Sequence, residues 1–235
     1  MCVKIINKKV FFKKKCMHYS VKNLDVIKNN IKNKLNDIKK SDSPKIIAVS
    51  KTFAIDKIKP LIDSGHSDFG ENKVQEALDK WTEIKLKNND IKLHLIGKLQ
   101  TNKVKHAVKI FDFIHSVDSE KLAKKISDEI KKNQKNIKIF IQVNIGQENQ
   151  KSGVEIDNLE SLFLYCKSIN LDVIGLMCIP PVGVDSKEYF EKMQDLNKNL
   201  NLLDLSMGMS SDYLQALDYS STYLRIGSSI FGDRN

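Results

Sequence analysis

The stretch Lys45-Ile46-Ile47-Ala48-Val49-Ser50-Lys51-Thr52 is a short apolar run that ends in a lysine. Consecutive apolar residues rich in isoleucine and valine predict a strand buried on both faces, as in a parallel sheet covered by helices. A lysine at the carboxyl end of such a strand is unusual, because burying an ammonium group costs free energy. The cost falls if the amine is neutral or forms a Schiff base with an aldehyde cofactor. The stretch therefore predicts a buried strand and a reactive amine at Lys51.

Strands of this kind recur along the chain, and a helical pattern separates each from the next. We predict strands over 46–49, 67–70, 93–97, 113–116, 137–145, 173–179, 203–206 and 223–226. We predict helices over 21–40, 55–65, 74–86, 102–108, 119–132, 159–169, 186–202 and 210–217, with a short helix after Gly227. Eight such units in roughly 200 residues predict one closed TIM-like (β/α)8 barrel. An open doubly wound sheet is the alternative, although no G-x-G-x-x-G follows the first strand.

The amino-terminal residues 1–20 differ in composition from the rest of the chain. They carry six lysines and no acidic residue. A flexible basic tail and a weak organelle-targeting leader are both compatible with this composition. Transit peptides favour arginine and serine, so we favour the tail. No linker rich in proline, glycine or serine divides the remainder, and we expect a single barrel domain over residues 21–235.

The overall composition restricts the class of protein. The chain has 235 residues and a formal net charge of +10. A basic surplus can mark a nucleic-acid surface, but here lysines are spread over nearly every segment and only two arginines occur. Because phosphate-binding surfaces usually favour arginine, we regard nucleic-acid binding as a minor alternative. No apolar stretch approaches about 18 residues, which excludes a membrane-spanning helix.

The cysteines indicate the compartment and disfavour a metal site. The four are Cys2, Cys16, Cys166 and Cys178, and no two lie at C-x-x-C spacing. No histidines stand at matching offsets, so we expect no zinc site. Unpaired thiols are typical of a reducing compartment, and we expect a cytoplasmic protein.

In a barrel, functional residues lie at the carboxyl ends of the strands. Here those ends carry Lys51, Asn72, and two loops rich in glycine and serine. Gly227 lets the backbone approach closely, and Ser228 and Ser229 open the short last helix, where backbone N–H groups and hydroxyls would face a phosphate. Ser210 and Ser211 would approach from the neighbouring loop. The alternative is ordinary turn chemistry, with Ser210 or Ser211 as a helix N-cap.

Arg225 and the histidines of the strands each allow two interpretations. Arg225 is either a surface cation or an inward-facing partner of the cofactor. An arginine beside a pyridine nitrogen would stay charged and donate a hydrogen bond, which weakens the ring as an electron sink and disfavours transamination. His94 and His115 are expected to be satisfied core residues rather than bases. We find no Ser-His-Asp order typical of a hydrolase, and no catalytic residue is assigned.

Taken together, these motifs resemble the pyridoxal phosphate homeostasis protein family, over about residues 21–234. Each segment alone is weakly specific, whereas their order and spacing are highly specific. The segments are Ala48-Val49-Ser50-Lys51-Thr52, Phe69-Gly70-Glu71-Asn72-Lys73-Val74-Gln75-Glu76, His94-Leu95-Ile96-Gly97-Lys98-Leu99-Gln100-Thr101-Asn102-Lys103, Gln142-Val143-Asn144-Ile145, Lys151-Ser152-Gly153, Gly175-Leu176-Met177, Ser206-Met207-Gly208-Met209-Ser210-Ser211-Asp212 and Arg225-Ile226-Gly227-Ser228-Ser229-Ile230-Phe231-Gly232.

The resemblance implies a fold-type III barrel akin to the amino-terminal domain of alanine racemase, with pyridoxal 5'-phosphate (PLP) as cofactor. The residue roles that it implies are a Schiff-base lysine at Lys51, a ring neighbour at Asn72, a pyridine-nitrogen partner at Arg225, and phosphate contacts at Ser210, Gly227 and Ser228. Two departures from the family pattern are the basic extension and the helix sequence Ser211-Asp212-Tyr213-Leu214-Gln215-Ala216-Leu217.

The family is regarded as lacking a clear enzymatic activity, and the resemblance implies a protein that holds PLP and maintains PLP and amino-acid balance. PLP-dependent apoenzymes are the expected recipients, and we expect a monomer. The first alternative is a PLP-dependent amino-acid racemase. Racemases of this type carry a further β-domain with a tyrosine acid/base, for which we expect no room after the last strand, and only one such group, Lys51, is apparent.

Overall fold

The computed structural model describes residues 17–148 and 152–233. Within them, eight parallel strands close into a barrel in the order of the chain, so β8 pairs with β1. The strands are β1 (Lys45–Val49), β2 (Asp68–Glu71), β3 (Lys92–Leu95), β4 (Phe113–Val117), β5 (Lys138–Gln142), β6 (Asp172–Met177), β7 (Asp204–Met209) and β8 (Tyr223–Ile226). The predicted TIM-like (β/α)8 barrel is confirmed, and the open sheet is wrong.

Helices surround the barrel and alternate with its strands. The α-helices are α1 (Tyr19–Asp37), α2 (Ile55–Asp63), α3 (Val74–Lys87), α4 (Val104–Ile110), α5 (Glu120–Asn133), α6 (Leu159–Ser168), α7 (Lys187–Asn199), α8 (Tyr213–Asp218) and α9 (Ser228–Phe231). Short 3-10 turns precede α4 and α6. No helix of the described ranges is long and apolar enough to cross a membrane.

Side-chain alternation along each strand separates two apolar regions. Outward-facing residues pack against the helices and form the larger core. Inward-facing residues fill the barrel, where the apolar cluster consists of Ile47, Phe113, Phe140, Met177 and Tyr223. Because these side chains fill the inside of the barrel, a ligand site is expected at the carboxyl ends of the strands.

Helix α1 precedes the barrel and covers one side of it. Its apolar residues Leu24, Ile27, Ile31 and Leu35 recur every three or four positions and are all buried, as the sequence pattern predicts. The helix begins at Tyr19, two residues before the expected domain boundary, and Ser20 is fully buried. The remainder of the expected basic tail, residues 1–16, lies outside the described residues, as do Cys2 and Cys16.

Several predicted boundaries are wrong at the mouth of the barrel. β5 ends at Gln142 rather than at residue 145; the Val143 N–H still donates to the carbonyl oxygen of Met177, but Val143 is paired with Val154 in an isolated bridge. β7 extends to Met209, which is three residues further than predicted. Helix α8 consequently begins at Tyr213 with Asp212 as its N-cap, so the N-cap interpretation of Ser210 and Ser211 is wrong.

Candidate functional site

A cavity of about 340 Å³ opens at the carboxyl ends of β1, β2, β7 and β8. All six residues that the sequence predicted for the site lie on its wall, although they come from strands far apart in the chain. The complete lining is Val49, Lys51, Asn72, Ile96, Ile179, Met209, Ser210, Ser211, Arg225, Gly227 and Ser228. The wall therefore combines one amine, one guanidinium, one carboxamide, three hydroxyls and an apolar surface.

One end of the cavity is rich in hydrogen-bond donors. The backbone N–H groups of Gly227 and Ser229 both donate to the hydroxyl oxygen of Ser210, each over 3.3 Å. Two amides that converge on one oxygen form the arrangement by which proteins hold a phosphate oxygen. The hydroxyls of Ser211 and Ser228 border the same end. The donor set fits an anionic oxyacid group.

Glycine is required at two positions that shape this wall. Gly208 has a φ of +89°, and a Cβ atom there would lie 2.7 Å from the Cβ of Ala216. A Cβ at Gly97 would lie 2.4 Å from the carbonyl oxygen of Asn72. These glycines let β7 turn toward α8 and let the end of β3 pack against Asn72.

The Arg225 side chain is almost fully buried, with 4% of its surface exposed. One terminal nitrogen donates to the carbonyl oxygen of Ser206 over 2.5 Å and to its hydroxyl over 2.7 Å. The other donates to the carbonyl oxygen of Cys178 over 2.7 Å. Burial lowers the pKa of Arg225, but a guanidinium with these acceptors remains charged at neutral pH. The surface-cation interpretation is therefore wrong.

Behind Arg225, a continuous hydrogen-bonded chain crosses the interior of the barrel. Ser206 Oγ lies 2.9 Å from His115 Nδ1, and His115 Nε2 lies 3.0 Å from His94 Nδ1. His94 Nε2 lies 3.1 Å from a carboxylate oxygen of Asp68, the first residue of β2. We call these five residues the Arg225 chain. As expected, His94 and His115 are satisfied core residues.

The two ends of the Arg225 chain fix the direction of its hydrogen bonds. Arg225 can only donate and an ionised Asp68 can only accept. With neutral imidazoles, each bond must therefore run from Arg225 to Ser206, to His115, to His94 and to Asp68. Both histidines then carry their proton on Nε2.

The pKa values in the Arg225 chain agree with this assignment. Burial lowers the pKa of His94 although Asp68 opposes the shift, and burial lowers that of His115 well below its usual range, with His94 and Arg225 adding to the effect. Burial alone would raise the pKa of Asp68, but the hydrogen bond from His94 brings it below the usual value. At neutral pH the chain thus holds two neutral imidazoles and one carboxylate.

Other reactive groups lie outside the cavity wall. Burial raises the pKa values of the Cys166 and Cys178 thiols to about 12, so neither is a nucleophile at neutral pH. Both are free thiols. Among the described residues no cluster of His, Cys, Asp or Glu could hold a metal ion.

Sequence reasoning missed the residues that support the cavity from behind. The sequence analysis assigns no role to Asp68 or to the Ser206 side chain, and it does not connect His94 to His115. A usable signal was present: polar residues at inward-facing strand positions are costly and need partners. Their pairing could not be derived, because His115 and Ser206 are 91 positions apart.

Sequence comparisons show what the chain is similar to. The sequence profile of the family described as alanine racemase, N-terminal domain, matches residues 23–235. The pyridoxal phosphate homeostasis protein of Aquifex aeolicus is 40% identical over 200 residues, which cover 81% of this chain and 87% of that protein. The protein of the same name from Pasteurella multocida is 33% identical over 225 residues, which cover 91% of this chain and 97% of that one.

Solved structures of related proteins have the same barrel fold as this chain. PipY of Synechococcus elongatus, with PLP bound, superposes with a TM-score of 0.80 at 30% identity, covering 91% of this chain and all of PipY. Alanine racemase of Clostridium difficile superposes with a TM-score of 0.70 at 17% identity, covering 91% of this chain and 57% of the racemase. At that identity the likeness to the racemase concerns the fold alone.

Proposed function

Because this chain belongs to the pyridoxal phosphate homeostasis protein family, with the barrel of the alanine racemase N-terminal domain, we propose that it binds PLP in the cavity at the mouth of the barrel. One observation carries the proposal. The six residues that the family resemblance singles out, drawn from β1, β2, β7, β8 and the loops after them, line one cavity together.

The donor set of the cavity fits PLP chemically. The amides of Gly227 and Ser229, which donate to Ser210 Oγ in this structure, would donate to the phosphate instead, with the hydroxyls of Ser210 and Ser228 beside them. Val49, Ile96 and Ile179 supply apolar surface for the ring. A basic, amide-rich pocket beside an apolar wall suits a flat aromatic ring with an anionic tail.

Two further residues would orient the ring. Asn72 borders the cavity beside it, and the Arg225 guanidinium would donate to the pyridine nitrogen. Since Arg225 stays charged, it would keep that nitrogen unprotonated. When bound, PLP supplies an aldehyde that condenses with an amine and releases water. Lys51 is the lining residue that offers such an amine.

The proposed role is to hold PLP reversibly and release it, and so to maintain PLP and amino-acid balance. Racemisation needs an acid/base group on each face of the substrate. In the described part of the cavity wall, the ionisable side chains are Lys51 and Arg225, and Arg225 is committed to carbonyl acceptors. With these two side chains, the cavity is better suited to binding the cofactor than to catalysing a reaction of an amino acid.

Binding is tested by adding PLP to the purified protein, recording the visible spectrum, reducing with borohydride and mapping the modified peptide by mass. We expect a pyridoxyl group on Lys51 and loss of the absorbance band in Lys51→Ala. Lys57→Ala, an exposed lysine on the next helix, is the matched control and should keep the band. An adduct on another lysine, or none, contradicts the proposal. Formation of D-amino acids at enzymatic rates would favour the racemase instead.

The recipients, compartment and assembly state complete the proposal. We propose that PLP passes to PLP-dependent apoenzymes, that the protein acts in the cytoplasm, and that it is a monomer. The buried free thiols Cys166 and Cys178 suit a reducing compartment. Recipients are tested by mixing the loaded protein with an apoenzyme: activation faster than the spontaneous release of PLP supports transfer, and equal rates contradict it.

A further inference from the structure

The turn that follows β1 contains a residue in an unfavourable backbone conformation. Thr52, immediately after Lys51, has a φ of +67°. Positive φ is uncommon for any residue other than glycine and is a genuine outlier for a β-branched one. Such a conformation persists only where neighbouring contacts hold it, and it often marks a functional site.

Side chains of α3 and β2 hold the backbone on both sides of Lys51. After it, the Thr52 N–H donates to a carboxylate oxygen of Glu76 over 2.5 Å. Before it, the Lys80 ammonium donates to the carbonyl oxygen of Ser50 over 2.9 Å. Lys80 also bonds to the same Glu76 oxygen over 3.0 Å, so the two contacts belong to one network.

Glu71 extends this network into the protein interior. One of its oxygens accepts from the Ser50 hydroxyl over 2.7 Å, from Lys80 over 2.9 Å and from the Trp81 indole over 2.9 Å. The Glu71 side chain is fully buried, and Lys80 is 10% exposed. We call Glu71, Glu76 and Lys80 the Lys51 clamp.

The charge of Glu76 is well suited to this contact. Burial alone would raise the pKa of its carboxyl group, but the hydrogen bonds from Thr52 and Lys80 bring that pKa below the usual value. The carboxylate is therefore ionised at neutral pH and accepts a charge-assisted bond from the Thr52 amide.

We propose that the Lys51 clamp is a positioning device: it holds Thr52 in its strained conformation and thereby aims the Lys51 amine into the cofactor cavity. Glu76 is the central positioning residue, because within the Lys51 clamp it is the member that contacts both Thr52 and Lys80. This inference rests on the proposed function, in which Lys51 reacts with the aldehyde of PLP. It adds a role for acidic residues that do not line the cavity.

The test compares two ligands that differ only at the reacting group. PLP carries the aldehyde, whereas 4-deoxypyridoxine 5'-phosphate keeps the ring and phosphate but cannot react with an amine. In Glu76→Ala we expect the Kd for PLP to rise about tenfold, which corresponds to about 1.4 kcal/mol, while the Kd for the analogue stays unchanged. Glu76→Gln, whose amide oxygen can still accept from Thr52, should lose less PLP affinity than Glu76→Ala.

Two further variants separate positioning from general damage. Glu83→Ala removes an exposed carboxylate from the same helix and should bind both ligands as the unmodified protein does. Thr52→Gly combined with Glu76→Ala should recover most of the lost PLP affinity, because glycine adopts positive φ without strain. The inference is overturned if Glu76→Ala binds PLP normally, or if it weakens both ligands equally and Thr52→Gly restores neither.

A measurement without any ligand keeps the two proposals distinguishable. Amide hydrogen exchange at Thr52 should accelerate at least tenfold in Glu76→Ala and remain slow in Glu83→Ala. If exchange is unaffected, the clamp is overturned even though Lys51 binds PLP. If exchange accelerates but no pyridoxyl group forms on Lys51 of the unmodified protein, the proposed function fails, and with it the clamp's role in aiming the amine.

Discussion

The two cationic residues of the cavity are held by different kinds of chemistry. The Lys51 clamp acts from outside the barrel, with two carboxylates and an ammonium between β2 and α3. The Arg225 chain acts from inside, where two neutral imidazoles and a hydroxyl connect the guanidinium to Asp68. The clamp fixes the backbone around its lysine, whereas the chain fixes the arginine side chain itself.

The difference follows from what each location permits. Between strand and helix, full charges can be compensated by opposite charges within hydrogen-bond distance. Inside the barrel His94, His115 and Ser206 are fully buried, so neutral donors and acceptors are the less costly means of connecting two charged ends. We infer that the clamp depends mainly on ionic pairing and the chain mainly on correct protonation.

The largest expected effect is the loss of the cation from the clamp. Lys80→Met leaves Glu71 fully buried and Glu76 partly buried without their ammonium partner. Breaking a buried ion pair from one side costs about 3 kcal/mol, and we expect the free energy of unfolding to fall by about that amount. Urea denaturation measures it. Lys124→Met, which removes an exposed i,i+4 pair with Asp128, should leave the midpoint unchanged; equal losses in both variants would contradict a special role for the clamp.

A smaller effect is expected from breaking the Arg225 chain in its middle. His115→Phe keeps the stacking on Phe140, whose ring centroid lies 4.3 Å away, but removes the partners of Ser206 and of His94 Nδ1. Leaving buried polar groups unsatisfied should lower the free energy of unfolding by about 2 kcal/mol. His106→Gln, on the exposed face of α4, is the control in the same denaturation experiment. A stable His115→Phe protein with full PLP affinity would show that the chain is dispensable.

The smallest effect, counted for one histidine and one pH unit, is a dependence of the free energy of unfolding on pH, and it concerns the Arg225 chain rather than the Lys51 clamp. Burial lowers the pKa values of His94 and His115 in the folded state, so their contribution to stability is present above about pH 6.5 and is lost as the pH falls toward the lowered values. In that interval the unfolded chain binds a proton that the folded chain does not. Each histidine then reduces the free energy of unfolding by about 1.4 kcal/mol per pH unit.

The slope is measured by urea denaturation at several pH values between 5 and 7 (a range set by the ordinary histidine pKa of about 6.5). His115→Phe should reduce it by about the contribution of one histidine, while Glu76→Ala should leave it unchanged, since the pKa of Glu76 is lowered below its own ordinary value. If His115→Phe keeps the slope of the unmodified protein, His115 is protonated in the folded state and the assigned direction of the chain is wrong.

Much of the fold and the cavity wall could be predicted from local sequence patterns. Apolar runs that alternate with helical periodicity predicted the eight units, and β8 was predicted without error at Tyr223–Ile226. The boundaries failed where the chain leaves the ladder to form the mouth, as after Gln142. There the backbone geometry depends on partners such as Val154, which no local pattern identifies.

The sequence by itself determined the order of strands and helices, the strand-end position of Lys51 and the glycine-serine loops, because periodicity and turn preferences act over a few neighbouring residues. Only the tertiary structure decided the shape of the cavity that these residues line, that Glu76 contacts Thr52, and that Asp68 is connected to Arg225. These contacts arise when the barrel closes and β8 meets β1. Closure brings Lys45 of β1 within hydrogen-bond distance of Tyr223 of β8, 178 positions away, and such pairings leave no signature in any single stretch of the chain.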